Sequence, residues 1–367
     1  MTKATTTDPT MTMTIGIDLG DRKSHICVLD AAGEIVEEGR IATTPKALRA
    51  RFEGLAPTRI AHEVGTHSAW VSELLGGLGH DVLVANARKL RMIYQNDSKN
   101  DRVDAEQLAR VARMDPRLLY PIEHRKRSAR ADLAVMRSRD ALVKTRTRLV
   151  NHIHGVLKSF GHRVKKYAAP GFHRQVAGQI PEELEPALQP LLEMLATLAE
   201  RILGLDGEIR RLSTKVYPET ALLNQVGGVG PITALRYVLT IEDPRRIAKS
   251  RDVGSYLGLR PKQRQSGQRD PELRITKAGD RELRRLLVQC AQHILGPFGM
   301  DSDLRRWGLK LASRGAATAK KKAVIAVARK LAVLLHRLWL TGEVYEPLRN
   351  AKRRGRAQPH APVAVAV

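Results

Sequence analysis

Hydrophobic positions in the first 115 residues change period several times. Thr12–Leu19 (TMTIGIDL) and Ser24–Asp30 (SHICVLD) are short runs rich in β-branched residues, and Glu34–Thr43 (EIVEEGRIAT) alternates apolar with polar side chains; each is the pattern of a strand. Pro45, at the favoured first-turn position, opens a helix through Leu55. Thr58–Val64 reads as a strand, Ser68–Leu78 as a helix, His80–Ala85 as a strand and Asp101–Met114 as a closing helix. The order βββαβαβα predicts three meandering strands followed by strand–helix alternation, a mixed sheet with helices on both faces. The pattern then lengthens. Ala129–Lys158 predicts one long basic helix, Gly161–Gly178 a glycine- and proline-punctuated connector, and Glu182–Val216 a second long helix with Leu191, Leu195, Leu198, Ile202, Leu205, Ile209 and Leu212 at helical spacing. Two long helices flanking a connector predict an antiparallel coiled-coil arm, a common dimer surface, although Pro186 and Pro190 blur where the second helix begins. From Leu222 onward the pattern is that of a mostly helical domain ending in the basic helix Lys320–Leu340. The expected division is a disordered tail at 1–12, an α/β domain at 13–122, the arm at 123–218, a helical domain at 219–345 and a basic disordered tail at 346–367.

Charge separates these regions. The 367 residues carry a net charge of +25, yet residues 1–122 hold 16 basic and 16 acidic side chains. Residues 123–166 hold 13 basic against 3 acidic, and 305–356 hold 15 against 2. A neutral unit joined to a strongly basic remainder suits chemistry in one part and a grip on a polyanion in the other, and nucleic acid is the expected partner. An anionic membrane fits less well, because no segment pairs a basic face with an aromatic, lipid-facing one. Aromatic residues make up only 4% of the chain, which argues against base-stacking platforms as the main grip. Two cysteines, Cys27 and Cys290, exclude a disulfide framework and suit a reducing cytoplasm. The apolar run Ala323–Leu340 is broken by Arg329, Lys330, His336 and Arg337, so no bilayer-spanning helix is expected, and the first residues lack the apolar core of a secretory signal.

Three constellations could carry chemistry. Asp18 ends the first strand (GIDLGD), Glu63 ends the fourth (AHEVGT), and Asp101 and Asp104 lie three apart on one helix (NDRVDAEQLA). The strand order matches a ribonuclease H-like fold, in which the first and fourth strands are neighbours and the closing helix lies beside their ends. Four carboxylates would then converge, at a cost that cations offset, and two Mg²⁺ ions held by carboxylates stabilise phosphodiester displacement. Against this stands the possibility that Asp101 caps its helix, Asp104 fills the first turn and Asp18 caps a turn. GIDLG also occurs in phosphate loops of actin-like ATPases, but the second aspartate–glycine loop such a fold needs has only Leu205-Asp206-Gly207 as a candidate, in helical surroundings. The second constellation, VGGVGPITA at 226–234, resembles a helix–hairpin–helix in which Gly228 and Gly230 permit a tight turn that aims helix N-terminal amides at a phosphate; an ordinary glycine turn is the competing reading. The third runs from Gly258 to Leu287 and sets Ser266 and Gly267 in a loop dense in Arg260, Lys262, Arg264, Arg269, Arg274 and Lys277. Spacing alone makes Ser266 a loop serine touching phosphate, since no histidine or carboxylate in the loop plainly takes its proton. His62, His67, His152 and His154 lack metal-ligand spacing and read as surface or phosphate-contacting groups.

Together these residues resemble a family of insertion-sequence transposases related to the Piv-type DNA invertases. Asp18 in GIDLG, Glu63 in HEVGT and Asp101 with Asp104 in NDRVDAEQLA match its DEDD tetrad, and VGGVG, GLRPKQRQSG and RITKAGDRELRR follow in its order over roughly residues 13–340. The resemblance implies a RuvC-like N-terminal domain binding Mg²⁺, with Mn²⁺ able to substitute, and a C-terminal domain whose serine, here Ser266, attacks a DNA phosphate to form a phosphoserine link (serine recombinase chemistry). It also implies a structured guide RNA encoded by the element, donor and target DNA as partners, a homodimer or tetramer, and a cytoplasmic protein associated with the nucleoid when acting. Gly228, Gly230, Lys262, Arg264 and Lys277 are the candidate nucleic-acid contacts. Two other activities fit the same residues: a metal-dependent junction-resolving nuclease in which Ser266 only binds phosphate, and a basic RNA-binding scaffold with an inactive carboxylate cluster.

Overall fold

The structure, a computed structural model, describes residues 13–89, 100–267, 269, 271, 273–315 and 318–350. The chain separates into two compact units, one through His124 and one from Arg125.

The first unit is a five-stranded mixed sheet of order β3-β2-β1-β4-β5, with β1 Thr14–Asp18, β2 Lys23–Leu29, β3 Ile35–Ala42, β4 Arg59–Glu63 and β5 Asp81–Ala85. β1, β2 and β3 form an antiparallel meander, whereas β4 runs parallel to β1 and β5 parallel to β4. The central strands read as continuous apolar runs because both of their faces are covered. On one face Ile15, Ile17, Ile26 and Ile60 pack against Leu48 and Phe52 of α1 (Pro45–Phe52) and Val71 and Leu75 of α2 (Ser68–Gly77). On the other, Cys27, Leu29, Ala61, Leu83 and Ala85 meet Ala105, Leu108, Ala109, Val111 and Ala112 of α3 (Asp101–Met114). The polar strand β3, largely exposed, forms the edge. The predicted βββαβαβα order therefore holds, and this mixed α/β arrangement is compatible with a RuvC-like domain.

The second unit opens with α4 (Arg127–Ser159) and α6 (Glu185–Arg211), joined through a segment that includes α5 (Phe172–Val176). Ile153 and Leu157 of α4 share a core with Leu188, Leu192 and Leu195 of α6, and at the opposite end Ala129, Leu133 and Met136 share one with Ile209, so the two helices run antiparallel as a hairpin. Pro186 sits in the first turn of α6, where a missing N–H costs nothing, and only Pro190 lies inside the helix. The remaining helices are α7 Thr220–Asn224, α8 Pro231–Ile241, α9 Val253–Tyr256, α10 Arg281–Leu295, α11 Asp303–Ala312 and α12 Ala319–Thr341. Their common core contains Leu223, Val226, Tyr237, Val238, Leu257, Leu283, Leu287, Val327, Leu331 and Leu335. No helix among the described residues is long and apolar enough to cross a membrane.

Candidate functional site

Side chains alternate faces along a strand, so Gly16 and Asp18 of β1 face the same way. That face is the one α3 covers: a β-carbon on Gly16 would lie 2.0 Å from the carbonyl oxygen of Ala105 and 2.6 Å from the nitrogen of Ala109. A helix can approach the sheet this closely only over a glycine. Ala105 directly follows Asp104, so this contact fixes the first turn of α3, with Asp101 and Asp104, towards the end of β1. β1 and β4 are in parallel register with Ile17 beside His62, and the next step brings Glu63 beside Asp18. On the other side Asp18 pairs with His25 of β2, whose Nε2 lies 3.9 Å from Oδ2 of Asp101. All four predicted carboxylates therefore lie on elements that meet at one rim of the sheet, the carboxylate edge formed by the C-terminal ends of the central strands β1 and β4.

Local chemistry favours carboxylates there. Asn100, not Asp101, is the helix cap: its side-chain oxygen accepts the Arg102 N–H at 3.1 Å. Asp101 and Asp104 are left in the first turn, where the positive end of the helix dipole stabilises negative charge. Asp101 is 65% exposed, whereas Glu63 carries a buried Oε1. Next to Glu63, His62 is not the surface group expected from its sequence. It is fully buried, with its ring between the Ser72 hydroxyl and the Glu63 carbonyl, each at 3.0 Å, and desolvation pushes its pKa down to about 4. It is a neutral strut under the edge. His67 is half-buried and accepts the Trp70 indole N–H at 3.1 Å. Hard carboxylate oxygens from three elements are the donor chemistry that suits a divalent cation such as Mg²⁺. They are not preassembled as a cage: among the described residues no three His, Cys, Asp or Glu side chains are gathered closely enough to hold a metal ion.

In the second unit the expected loop around Ser266 is a β-hairpin. Pro261 pairs with Ile275 and Ser266 with Arg269, and Lys262 N–H donates to the Arg274 carbonyl at 2.9 Å, as Thr276 N–H does to that of Arg260. Ser266 and Arg269 exchange both backbone hydrogen bonds, at 3.1 and 3.0 Å, so Ser266 and Gly267 form the tip, with Gly267 left-handed at φ +55°. Ser266, Arg260, Lys262, Arg264, Arg269, Arg274 and Lys277 are all exposed. The base, by contrast, is fixed. Gly258 and Gly279 are both left-handed at φ +67°, and β-carbons there would lie 2.2 Å from Ala278 N and 2.1 Å from the Tyr256 carbonyl oxygen. Arg284, buried, donates to the carbonyls of Leu257 and Ala278. Asp280 caps α10 through the Leu283 N–H at 2.8 Å and forms a buried ion pair with Arg236 of α8, also at 2.8 Å. Desolvation pushes the Asp280 carboxyl upward, but the Arg236 charge and the Leu283 N–H together outweigh it and hold its pKa below the ordinary value. This anchoring pair was missed in the sequence, where Gly-Asp just before an amphipathic helix was its only sign.

The glycine turn joins the short helix α7 to α8. Only Gly228 is left-handed, at φ +90°, and it packs on His293 and Ile294 of α10. Gly230 is the extended cap residue of α8, and Pro231 after it removes one of the amides a phosphate could have used.

A family model described as a transposase, of the DEDD type, matches residues 15–162, and a second, described as the transposase IS116/IS110/IS902 family, matches residues 220–299. The chain is 30% identical over 292 residues (77% of this chain, 84% of the relative) to the transposase for insertion sequence element IS1328 of Yersinia enterocolitica. It is 31% identical over 304 residues (80% and 76%) to the putative transposase y4pF/y4sB of Sinorhizobium fredii, and 26% identical over 346 residues (90% of each) to the transposase for insertion sequence element IS1111A of Coxiella burnetii. The first model spans the four carboxylates, the second spans the glycine turn and Ser266, and residues 163–219 lie outside both.

Proposed function

The chain belongs to the IS116/IS110/IS902 family of insertion-sequence transposases, enzymes that cleave and rejoin DNA, and from that premise we propose that it does so by a serine mechanism assisted by metal-binding carboxylates. The observation that carries this reading is the docking of α3 on Gly16, which brings Asp101 and Asp104 to the edge formed by Asp18 and Glu63. These four carboxylates would hold Mg²⁺, or Mn²⁺ in its place, and a divalent cation there neutralises charge building on the phosphate oxygens. The Ser266 hydroxyl bonds to phosphorus as the bond from phosphorus to a deoxyribose oxygen breaks; the serine proton is lost and the leaving oxygen gains one. A sugar hydroxyl of the other strand then attacks the phosphoserine, releasing Ser266 and joining the DNA. The exposed arginines and lysines of the hairpin offset negative charge around the phosphate and, with the Gly228–Gly230 turn, hold the backbone. A structured RNA from the element guides the choice of DNA, and the protein acts as a homodimer or tetramer in the cytoplasm, at the nucleoid.

Adduct trapping tests this. The protein is incubated with element-end RNA, donor and target DNA and Mg²⁺, then denatured and assayed for DNA bound covalently to protein. Wild type is expected to give an adduct, Ser266→Ala none, and Asp18→Ala no cleavage with nearly intact binding. Cleaved DNA with no adduct in either the wild-type or the Ser266→Ala lane would replace the serine mechanism by metal-activated water, the chemistry of a junction-resolving nuclease.

A further inference from the structure

A basic concavity lies at the end of the helical hairpin where α4 finishes, and it includes none of the carboxylates or serine-hairpin residues described above. His154 and Lys158, four residues apart, share a face of the last turns of α4. Gly161 then takes a left-handed conformation (φ +82°), and the His162 N–H donates back to the Leu157 carbonyl at 2.8 Å. This reversal folds the chain over the helix end, so that His162, Arg163 and Val164 close a depression of about 280 Å³ with His154 and Lys158. The His154 ring is set edge-on against Phe172 of α5, which is itself fully buried, with 5.1 Å between ring centres. The wall is thus built by a helix face and a capped reversal, with its His154 ring backed by a core aromatic.

Its charge is one-sided. Between Asp140 and Glu182 the chain carries eight Lys or Arg residues and four His, and no acidic residue. Among the described residues neither Lys158 nor Arg163 is in an ion pair, and no carboxylate lines the depression. Like charges held together in this way cost stability unless an anion joins them, and the negative end of the α4 dipole offsets only part of that repulsion. Lys158 and Arg163 are permanent cations, which disfavours a metal ion and favours an oxyanion.

We propose that this depression is a phosphodiester-binding site that clasps a nucleic-acid strand at the end of the hairpin. It rests on the family's work on DNA and is independent of Ser266 and of any metal. Arg163 and Val164 lie beyond the first family model, in a stretch neither model covers, whereas His154, Lys158 and His162 lie within it.

The test is the salt dependence of binding, read by fluorescence anisotropy with labelled duplex DNA and, separately, a stem-loop RNA. The variant is Lys158→Gln/Arg163→Gln; the control is Arg201→Gln/Arg210→Gln, which removes equal charge from exposed positions of the opposite leg. Each phosphate contact contributes a slope of about 0.9 in log affinity against log salt on duplex DNA. The expected result is a slope shallower by about 1 to 2 and affinity about tenfold weaker at low salt for the first variant, with the control near wild type and helicity by circular dichroism unchanged in both. The nucleic acid that shows the change is the one clasped. Equal losses in variant and control, or no loss in either on both probes, overturn the proposal, whereas a failure of adduct trapping leaves it untouched.

Discussion

The carboxylate edge and the serine hairpin are built on opposite terms. At the edge, each functional side chain hangs from an element whose other face is core, and the critical contact is backbone against backbone: α3 lies directly on Gly16. At the hairpin the functional end is solvent-exposed, while rigidity is confined to its base, where Gly258, Gly279, Arg284 and the Arg236–Asp280 pair lock the two legs. The difference matches what each part is proposed to do. Carboxylates that share a cation must hold their spacing against mutual repulsion, so they need a stiff frame. A nucleophile that becomes covalently attached to DNA gains from a firm root and a free tip.

The comparison is broken most severely at Gly16. Gly16→Ala places a methyl group 2.0 Å from the Ala105 carbonyl oxygen, and neither backbone can yield without separating α3 from the sheet. A loss of about 4 kcal/mol or more is expected for the first unit, seen as an early melting transition, because this exceeds ordinary overpacking of side chains. DNA cleavage should disappear with it. A variant that melts like wild type would show that the helix is free to shift, and the stiff-frame account would fall.

Next in size is the hairpin's root. Asp280→Asn leaves Arg236 buried without its counter-charge and weakens the α10 cap, and is expected to cost about 3 kcal/mol in the second unit. Its pH signature has a definite sign. The folded Asp280 carboxyl titrates below its unfolded value of about 3.9, so its contribution is complete above that pH and is lost as the pH falls through it towards the lower folded value. Wild type should therefore lose stability below about pH 4 more steeply than Asp280→Asn. Parallel acid-unfolding curves would remove the ion pair from the account.

How much of this was legible in the sequence follows from the range of the forces involved. β-Branched runs, proline at a helix start and heptad-like leucines are local signals, and the strands of the first unit and both long helices could be read from them. The carboxylates were legible as residue types at element ends, and their shared edge followed once β1 and β4 were taken as neighbours. What close approach decides was not legible. Gly16 reads as one glycine among 28, and only the strand–helix contact shows why a side chain cannot stand there. His62 reads as a polar residue in an alternating strand, but both faces of β4 are covered, so it is buried. The serine hairpin reads as a loop in the sequence because its two legs are held by isolated pairings and by glycines at the base rather than by an alternating apolar pattern. The bounds of α3, Asp101–Met114, were legible, but its cap was not: Asn100 and Asp101 both favour that position, and the competing reading of Asp101 as the cap fails because Asn100 takes it.

The smallest effect sharpens the comparison most, because it asks whether the tip is free. Gly267 has φ +55°, as Gly258 and Gly279 at the base are also left-handed, but a β-carbon at Gly267 meets nothing within 4 Å. Gly267→Ala therefore adds only the strain of a left-handed alanine, about 1 kcal/mol, in an exposed turn that carries no core. Melting should be unchanged within about 2 °C, since a local turn contributes little to the global transition. Adduct formation should fall by no more than about fivefold, the kinetic equivalent of that strain if all of it reaches the reacting conformation. Gly279→Ala, with the same backbone preference but the Tyr256 carbonyl oxygen 2.1 Å from its new methyl group, should unfold the root of the hairpin. If Gly267→Ala instead abolishes the adduct while melting like wild type, the tip conformation is itself part of the chemistry, and the serine is held as strictly as the carboxylates.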